Sequence, residues 1–151
     1  SNLVQRRIAD TPWQAYAAPG YLKRSGPLND PADIAHHATL ALGSGSQQPS
    51  WEFHRHGERR RVQITPRLQS SDMDTLREAA VAEHGIVSLP DYVARADVER
   101  GVLIRVFPDW ITQYARITLL TPYQRSQIPA VRALIDCLAE EFPRVVASQP
   151  D

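Results

Sequence analysis

Several residue types are scarce in this sequence, and each scarcity excludes a class of protein. Among the 151 residues Cys137 is the single cysteine, so an internal disulfide cannot form and an oxidising compartment is not indicated. No apolar run approaches the roughly 18 residues that a membrane-spanning helix needs, and no signal peptide opens the chain. We therefore expect a cytoplasmic protein without a membrane partner.

Net charge is absent as well. The 17 basic and 17 acidic residues cancel, so no global field attracts nucleic acid or an anionic membrane. Lys23 is the one lysine, and the other basic residues are arginines, a bias that we interpret mainly as genome composition. We do not expect this segment to bind DNA by itself.

Motifs that anchor enzyme chemistry are also missing. The sequence has no G-x-S-x-G nucleophile elbow, no G-x-G-x-x-G and no Walker motif. The histidine pairs at 36–37 and at 54 and 56 are incomplete ligand sets for a metal, and surface or capping roles are the simpler interpretation. Cys137 lies inside an amphipathic helix pattern, where a thiol is usually a small core residue. We expect no catalysis, no cofactor and no bound metal.

What is present has the composition of a globular domain. Hydrophobic residues make up 42% of the chain and charged residues 23%, far from the composition of disordered proteins. Apolar runs alternate with helical patterns, which favours an α/β sheet over a helical bundle. Strands are predicted over residues 13–18, 38–42, 86–90, 102–107 and 115–121. A hairpin that turns at Gly57 is predicted over 51–68, with the arginines at 59–61 as its solvated tip.

Capping residues predict where the earlier helices begin and end. Asp30 caps a short helix whose first residue is Pro31. A longer helix begins at Ser71, which with Asp74 three positions on resembles a capping box, and Gly85 serves as its stop. A further short helix follows residue 90 and ends at residue 101.

The last helix has the clearest period. It begins at Pro129, and Pro143 is predicted to stop it. Its apolar side chains recur at helical spacing and form one stripe: Val131, Leu134, Ile135, Leu138 and Phe142. Such a stripe has to dock on another surface.

The start of the 71–83 helix is a candidate for ligand contact. Free backbone N–H groups and the helix dipole favour an anion there, and the side chains of Gln69, Ser70 and Ser71 add hydrogen-bonding groups. Ordinary N-capping by Ser71 explains the same pattern, so both interpretations stay open.

Five landmarks occur in a specific order along the chain: AAPGYL at 17–22, PADIAHH at 31–37, WEF at 51–53, HGIVSLP at 84–90 and PAVRALIDCLAEEF at 129–142. Taken together, they resemble the effector-binding (substrate-binding) domain of LysR-type transcriptional regulators. The resemblance begins at a point part of the way along the sequence of that domain. The resemblance implies an α/β fold of the type 2 periplasmic-binding-protein kind, in which two subdomains are joined by two crossing strands and hold a small effector between them.

The resemblance also implies a division of the chain. Residues 1–18 are expected to form the end of the first subdomain and the first crossover strand, and residues 19–107 the second effector-binding subdomain. Residues 108–151 are expected to form the return crossover and the C-terminal strand and helix of the first subdomain. The helix-turn-helix and the opening of the first subdomain have no counterpart in the chain. We therefore expect a second copy, or a rearranged packing, to cover the last helix.

The resemblance also implies which residues of this sequence contact the effector. They fall on the first crossover strand, on the loop entering the long helix, on the turn before the 86–90 strand and on the return crossover: Ala17, Ala18, Gln69, Ser70, Ser71, Gly85, Ile86 and Pro108. Relatives often have Gly-x-Gly-Ile before that strand, whereas this chain has Glu83-His84-Gly85-Ile86. The departure raises a question about the local backbone.

The expected function is effector sensing without catalysis. A small effector, expected to be a carboxylate, would bind between the subdomains and modulate how the full-length protein binds DNA through its helix-turn-helix. Homo-oligomers, dimeric or tetrameric in the full-length protein, are implied as well. The alternatives are a periplasmic solute-binding protein of related fold, and a small hydrolase or transferase whose catalytic constellation is not found.

Overall fold

The computed structural model describes residues 3–45 and 48–147. The chain forms two compact units: Ser1–Thr11 with Tyr114–Asp151 make the first unit, and Pro12–Gln113 make the second. The borders of these units lie at 11/12 and 113/114, whereas the resemblance sets its divisions at 18/19 and 107/108. The long strand β1, Leu3–Ala17, contributes residues to both units.

The second unit alternates strands and helices after β1. In chain order it contains α1 (Pro19–Arg24), a 3₁₀ helix (Pro31–His36), β2 (Thr39–Leu42), β3 (Ser50–Arg55), β4 (Glu58–Gln63), β5 (Pro66–Ser70), α2 (Met73–Val81), β6 (Ile86–Pro90), α3 (Asp91–Glu99) and β7 (Ile104–Arg105). The predicted strand 86–90 and the caps of the 3₁₀ helix, Asp30 and Pro31, are confirmed. The predicted strand at 102–107 shrinks to two residues.

Five of these strands form one sheet in the order β5-β2-β6-β1-β7. Strand β2 runs parallel to both β5 and β6, and β1 runs antiparallel to both β6 and β7. The parallel strands β5, β2 and β6 therefore end at the same edge of the sheet. This carboxyl edge is where ligands usually bind in open α/β sheets.

The two faces of the sheet carry separate cores, because successive strand residues point to opposite faces. On one face, Ala15 and Ala17 of β1 pack with Ile86, with α1 and the 3₁₀ helix, and with Phe53 of β3. On the other face, Tyr16 packs with Val87, with α2 and α3 and with Leu103. A one-residue slip of β1 would exchange two alanines for a tyrosine against the first core.

Strands β3 and β4 form a separate two-stranded hairpin, as predicted. Its tip consists of His56 and Gly57, both with positive φ, so the prediction that the arginines at 59–61 form the tip is wrong. Arg60 instead donates to both carboxylate oxygens of Asp30 at 2.9 Å. Arg60 and Arg55 also lie over the ring of Trp110, with guanidinium carbons 5.6 and 4.3 Å from its centre.

Helix α2 begins and ends differently from the prediction. Its N-cap is Asp72, whose side chain accepts from the amide of Asp74, so Ser71 is not the cap. Its left-handed residue after the last turn is Glu83, at φ 71°, rather than Gly85. Arg24 holds Glu83 there, since its guanidinium reaches both the Glu83 carboxylate and the Glu83 carbonyl at 2.7 Å. These two contacts offset the strain of a left-handed glutamate.

Gly85 has a different role from the predicted stop. It adopts φ +155°, and an added Cβ would lie 2.7 Å from the carbonyl oxygen of Ala38. That oxygen accepts the amide of Ile86 at 2.9 Å where β6 meets β2. The absence of a side chain at 85 therefore allows the two strands to approach.

The first unit combines the start of β1 with all but the first residue of β8 (Gln113–Pro122), and with α4 (Tyr123–Ser126) and α5 (Pro129–Ala147). Strand β8 pairs with β1. Pro143 lies inside α5, so the predicted stop there is wrong. Arg144 bonds Glu140 and Glu141 at 3.5 Å, which supports the helix across the proline.

The apolar stripe of α5 is only partly covered. Val131, Ile135 and Phe142 are half-buried, while Leu134 and Leu138 are exposed. Cys137 is exposed too, so its predicted core role is wrong. Coverage of the stripe by a second copy, or by a rearranged packing, stays a prediction.

Among the described residues, no helix is both long and apolar enough to cross a membrane. Within residues 3–45 and 48–147, no group of three or more histidine, cysteine or carboxylate side chains is placed to hold a metal ion.

Replacing Gly85 by alanine should lower the free energy of unfolding by about 3 kcal/mol or more, because the new Cβ meets a backbone oxygen that cannot move away. The matched control is Gly101→Ala, at φ +75° with nothing within 4 Å of the added Cβ. It should cost only about 1 kcal/mol of backbone strain. Urea unfolding measures both, and equal losses would contradict the close-approach argument.

Tyr16 should make the protein sensitive to alkali. Burial raises its pKa from 10.0 to about 12, an effect that the nearby Arg105 only partly offsets. The unfolded chain then ionises before the folded one, so the stabilisation is complete below pH 10 and is lost as pH rises towards 12. We expect Tyr16→Phe to remove about 2–3 kcal/mol of this pH dependence. Tyr92→Phe, at an exposed tyrosine, is the control variant, and its free energy of unfolding should keep the pH dependence of the wild type.

Candidate functional site

A cavity of about 330 Å³ lies in the second unit at the carboxyl end of β2. This volume is at the lower end of the range for small-molecule pockets. Its walls come from residues 40–42 of β2, from residues 49–52 at the start of the hairpin, and from three separate side chains: Trp13, Ser88 and Thr112. All of these residues belong to the second unit.

Backbone pairing explains how these distant segments meet. In the sheet, Ala15 of β1 lies opposite Ser88 of β6, two residues along from Trp13. The amide of Thr112 donates to the carbonyl of Trp13 at 2.8 Å, which holds the returning chain beside β1. The hairpin is tied to the same returning chain, because His54 and Ile111 exchange both backbone hydrogen bonds, at 2.8 and 3.0 Å.

Neutral hydrogen-bonding groups are spread over the walls. The hydroxyls of Ser88 and Thr112 lie 2.7 Å apart, so one of them donates to the other. Trp13 is buried, and its indole Nε1 has no hydrogen-bond partner. The Ser50 hydroxyl accepts from Nε of Arg61 at 3.2 Å. The Trp13 nitrogen has almost no accessible surface, so the cavity does not reach it.

Charge in the walls is confined to one carboxylate. Glu52 is the only charged residue among the lining residues. Its Oε1 lies 3.2 Å from Nε2 of His54 and 3.8 Å from a guanidinium nitrogen of Arg59. Both partners are on the same hairpin, and neither is among the lining residues.

Three of the residues expected to contact an effector lie beside this cavity without lining it. Gln69 and Ser70 pair with Ala41 and Leu42 of the neighbouring strand, and the amide of Gly43 donates to the Ser70 carbonyl at 2.9 Å. Ser71 follows directly. The three residues therefore lie at the same carboxyl edge of the sheet as the cavity.

At the adjacent start of α2, the carboxylate of Asp72 already binds the helix N-terminus. The Asp72 carboxylate accepts from the Thr75 hydroxyl at 2.8 Å and from the Asp74 amide at 3.2 Å. These bonds lower the pKa of Asp72, so it is ionised at neutral pH. Of the two interpretations of this helix start, ordinary capping is present, with Asp72 in place of Ser71.

The other predicted residues are not brought to the cavity. Ala17 and Ala18 are buried where β1 ends, and Gly85 and Ile86 lie where β6 begins. Because β1 and β6 are antiparallel, both pairs lie at the opposite edge of the sheet from Trp13.

Pro108 lies on the returning chain between β7 and Thr112. Its carbonyl accepts from the side-chain amide of Gln14 at 3.3 Å. It does not line the cavity.

Sequence reasoning missed the residues that do line the cavity. Trp13 and Trp51 were assigned only to a predicted strand and to the predicted hairpin, and Ser88 and Thr112 were given no role. One signal was available: a serine in the otherwise apolar strand IVSLP is an unusual choice unless its hydroxyl has a partner.

Comparison with known proteins identifies the family. A model of the LysR substrate binding domain matches residues 1–143. The chain belongs to the LysR substrate-binding domain family. The predicted membership is therefore confirmed, and the family's relatives can be compared with the geometry described above.

Curated relatives are transcriptional regulators. The chain is 30% identical to the HTH-type transcriptional regulator PtxR of Pseudomonas aeruginosa, over 95% of this chain and 46% of that protein. It is 32% identical to the probable HTH-type transcriptional regulator LtrA of Klebsiella pneumoniae, over 89% of this chain and 45% of that protein. The chain thus spans a little under half the length of these relatives. None of this favours the solute-binding alternative.

Solved structures of LysR-type regulators share the fold. The full-length virulence activator AphB of Vibrio cholerae is 26% identical, with a TM-score of 0.79 over 93% of this chain and 48% of that chain. The regulatory domain of CrgA from Neisseria meningitidis, 22% identical, has a TM-score of 0.79 over 93% of this chain and 70% of that chain. The predicted α/β fold of the type 2 periplasmic-binding-protein kind is confirmed.

The Ser88–Thr112 contact should be measurable by a double-mutant cycle. Ser88→Ala and Thr112→Val should each cost about 1 kcal/mol in urea unfolding, and the double variant less than the sum, with a coupling of about 1 kcal/mol. A cycle of Thr112→Val with Ser44→Ala, in an exposed loop, serves as the control. Coupling as weak as in that control would contradict the hydroxyl pair.

Proposed function

We propose that this chain is the ligand-sensing part of a bacterial LysR-type transcriptional regulator, and that its effector binds in the cavity beneath the β3–β4 hairpin. One observation carries the assignment of the site. In a chain of this family, the cavity lies at the carboxyl edge of the sheet, where β1, β2, the hairpin, β6 and the returning chain all contribute lining residues. Ligands of open α/β sheets usually bind at this edge.

The eight residues carried over from the family fall into two groups under this proposal. Gln69, Ser70 and Ser71 adjoin the cavity-lining strand and are proposed as a neighbouring rim. For the other five, which do not line the cavity, we propose structural roles: Ala17, Ala18, Gly85, Ile86 and Pro108. The close backbone approach at Gly85 and the burial of the alanines support such roles.

The division of the chain follows the same proposal. The second unit serves as the second effector-binding subdomain, and the first unit supplies the C-terminal strand and helix of the first subdomain. Strand β1 and the chain between β7 and β8 act as the two crossovers. This assignment is supported by β1 contributing residues to both units.

Regulation by the full-length protein would follow from differential affinity. An effector shifts an equilibrium between two arrangements only to the extent that it binds one of them more tightly. We propose that this shift changes the grip of a homo-oligomer on DNA in the cytoplasm, through a helix-turn-helix outside this chain. No catalytic step is proposed, in keeping with relatives that are regulators.

Blocking the cavity tests the proposal. The test is a thermal-shift screen of this chain with small aromatic carboxylates and amides. We expect some of these compounds, when present at 100 times their Kd, to raise the Tm of the protein by about 5 °C or more. Ser88→Met projects a larger side chain from the cavity wall and should abolish these shifts. Ser44→Met, in an exposed loop, should retain them. Shifts that survive in Ser88→Met would place the effector elsewhere.

A further inference from the structure

We propose that residues 107–112 of the returning chain form a platform that positions the β3–β4 hairpin, and that a displacement of this platform changes the width of the effector cavity. The inference rests on the proposed function, because it concerns the regulation of the same site. Gln113 follows the platform directly and begins β8, and the rest of that strand belongs to the first unit. The platform therefore immediately precedes the passage of the chain into the first unit.

The hairpin depends on outside support, because β3 and β4 form a two-stranded sheet of their own. A two-stranded hairpin is at best marginally stable alone in water. One backbone bridge joins the hairpin to the platform, where His54 and Ile111 exchange both hydrogen bonds, at 2.8 and 3.0 Å. Side-chain contacts have to supply the remaining support.

An aromatic contact provides part of it. The ring of Phe53 on β3 packs edge-on against the ring of Phe107, with centroids 5.9 Å apart and an angle of 89° between the planes. Both rings are buried. The amide of Trp110 donates to the carbonyl of Phe107 at 3.0 Å, which closes a turn between the two aromatic residues of the platform. Edge-on pairs of this kind add to the stabilisation from simple apolar burial.

Two guanidinium groups of the hairpin lie over the buried ring of Trp110. Their central carbons are 4.3 Å from the ring centre for Arg55 and 5.6 Å for Arg60. Each guanidinium is oriented by an acid, since Arg55 donates to Glu58 and Arg60 to both oxygens of Asp30, all at 2.9 Å. Cation–π contacts are strongest over tryptophan. This stack therefore fixes the part of the hairpin next to its tip.

The same two segments also supply cavity walls. Residues 50–52 line the cavity and lie on the same strand as Arg55. Thr112 lines it from the platform itself, directly after Ile111. A displacement of the platform therefore moves one wall directly and a second wall through β3. Because coupling between two sites is reciprocal, an effector in the cavity acts back on the platform.

Arg55→Gln tests the platform, because it removes one cation from the Trp110 ring by a change at a half-exposed side chain. Native-state hydrogen exchange is measured at the amides of His54 and Ile111, the two donors of the backbone bridge. We expect both amides to exchange about two- to fivefold faster, as the loss of one cation–π contact predicts for local opening. The amide of Ile86, which is bonded within the main sheet, should keep its wild-type rate.

The effect on the cavity wall is measured at Trp51. In protein labelled with 5-fluorotryptophan, the fluorine resonance of Trp51 should shift in Arg55→Gln, because the base of β3 moves with the hairpin. The resonance of Trp13, which lines the cavity from β1, should keep its position. Trp51→Phe identifies the Trp51 resonance by removing it.

Two control variants separate the Trp110 stack from the neighbouring ion pair. Arg55→Lys keeps a cation over the ring and should stay close to the wild type in both measurements. Glu58→Gln removes the acid that pairs with Arg55 and leaves the guanidinium in place, so it should also stay close to the wild type.

The outcomes are independent of any ligand. Unchanged exchange at His54 and Ile111 overturns the inference, and so does an equal acceleration at Ile86, which indicates a general loss of stability. If Glu58→Gln behaves like Arg55→Gln, the ion pair and not the stack holds the hairpin, and the inference is wrong. A Trp51 resonance that does not shift overturns the coupling to the cavity. A ligand screen without hits overturns the proposed site and leaves the platform standing.

Discussion

Strand β1 has to satisfy two hydrophobic cores at once, because its side chains alternate between the two faces of the sheet. Ala15 and Ala17 face one core, and Tyr16 faces the other. The small residues leave room for α1, the 3₁₀ helix and the hairpin to approach one face. The tyrosine fills the space under α2 and α3 on the other face, where burial raises its pKa to about 12.

The cavity depends on this arrangement. Strand β1 holds β6 on one side and the returning chain on the other, so Ser88 and Thr112 meet across it. The hairpin is then fixed against the returning chain by the His54–Ile111 backbone bonds, while two arginines on the hairpin lie over Trp110. The hairpin covers one side of the cavity, and its first strand supplies Trp51 and Glu52. The shape of the cavity therefore depends on contacts remote from its walls.

Predictions from local patterns succeeded where the physical cause was local. The apolar run at 86–90 and the Asp30–Pro31 cap each depend on neighbours in the sequence, and both are present. Predictions failed where a distant residue changed the balance. Glu83 takes a left-handed conformation, and Arg24, far away in the sequence, binds both its carboxylate and its carbonyl. That partner cannot be inferred from helix propensity or capping rules.

The candidate site was likewise predicted in part from local patterns and in part not at all. Gln69, Ser70 and Ser71 were predicted from a helix start, and they lie at the edge of the sheet where the cavity opens. The residues that line it come from β1, β2, the hairpin, β6 and the returning chain, which are far apart in sequence. The spacing of these residues in the sequence does not show that they meet around one cavity.

By itself the sequence determined the family, the α/β class and the alternation of β1, because these depend on residue order and on the two-residue period of a strand. Only the tertiary structure decided which distant segments meet around the cavity. The reason is that the cavity arises from long-range pairing of strands, and these pairings depend on backbone hydrogen bonds rather than on any local motif.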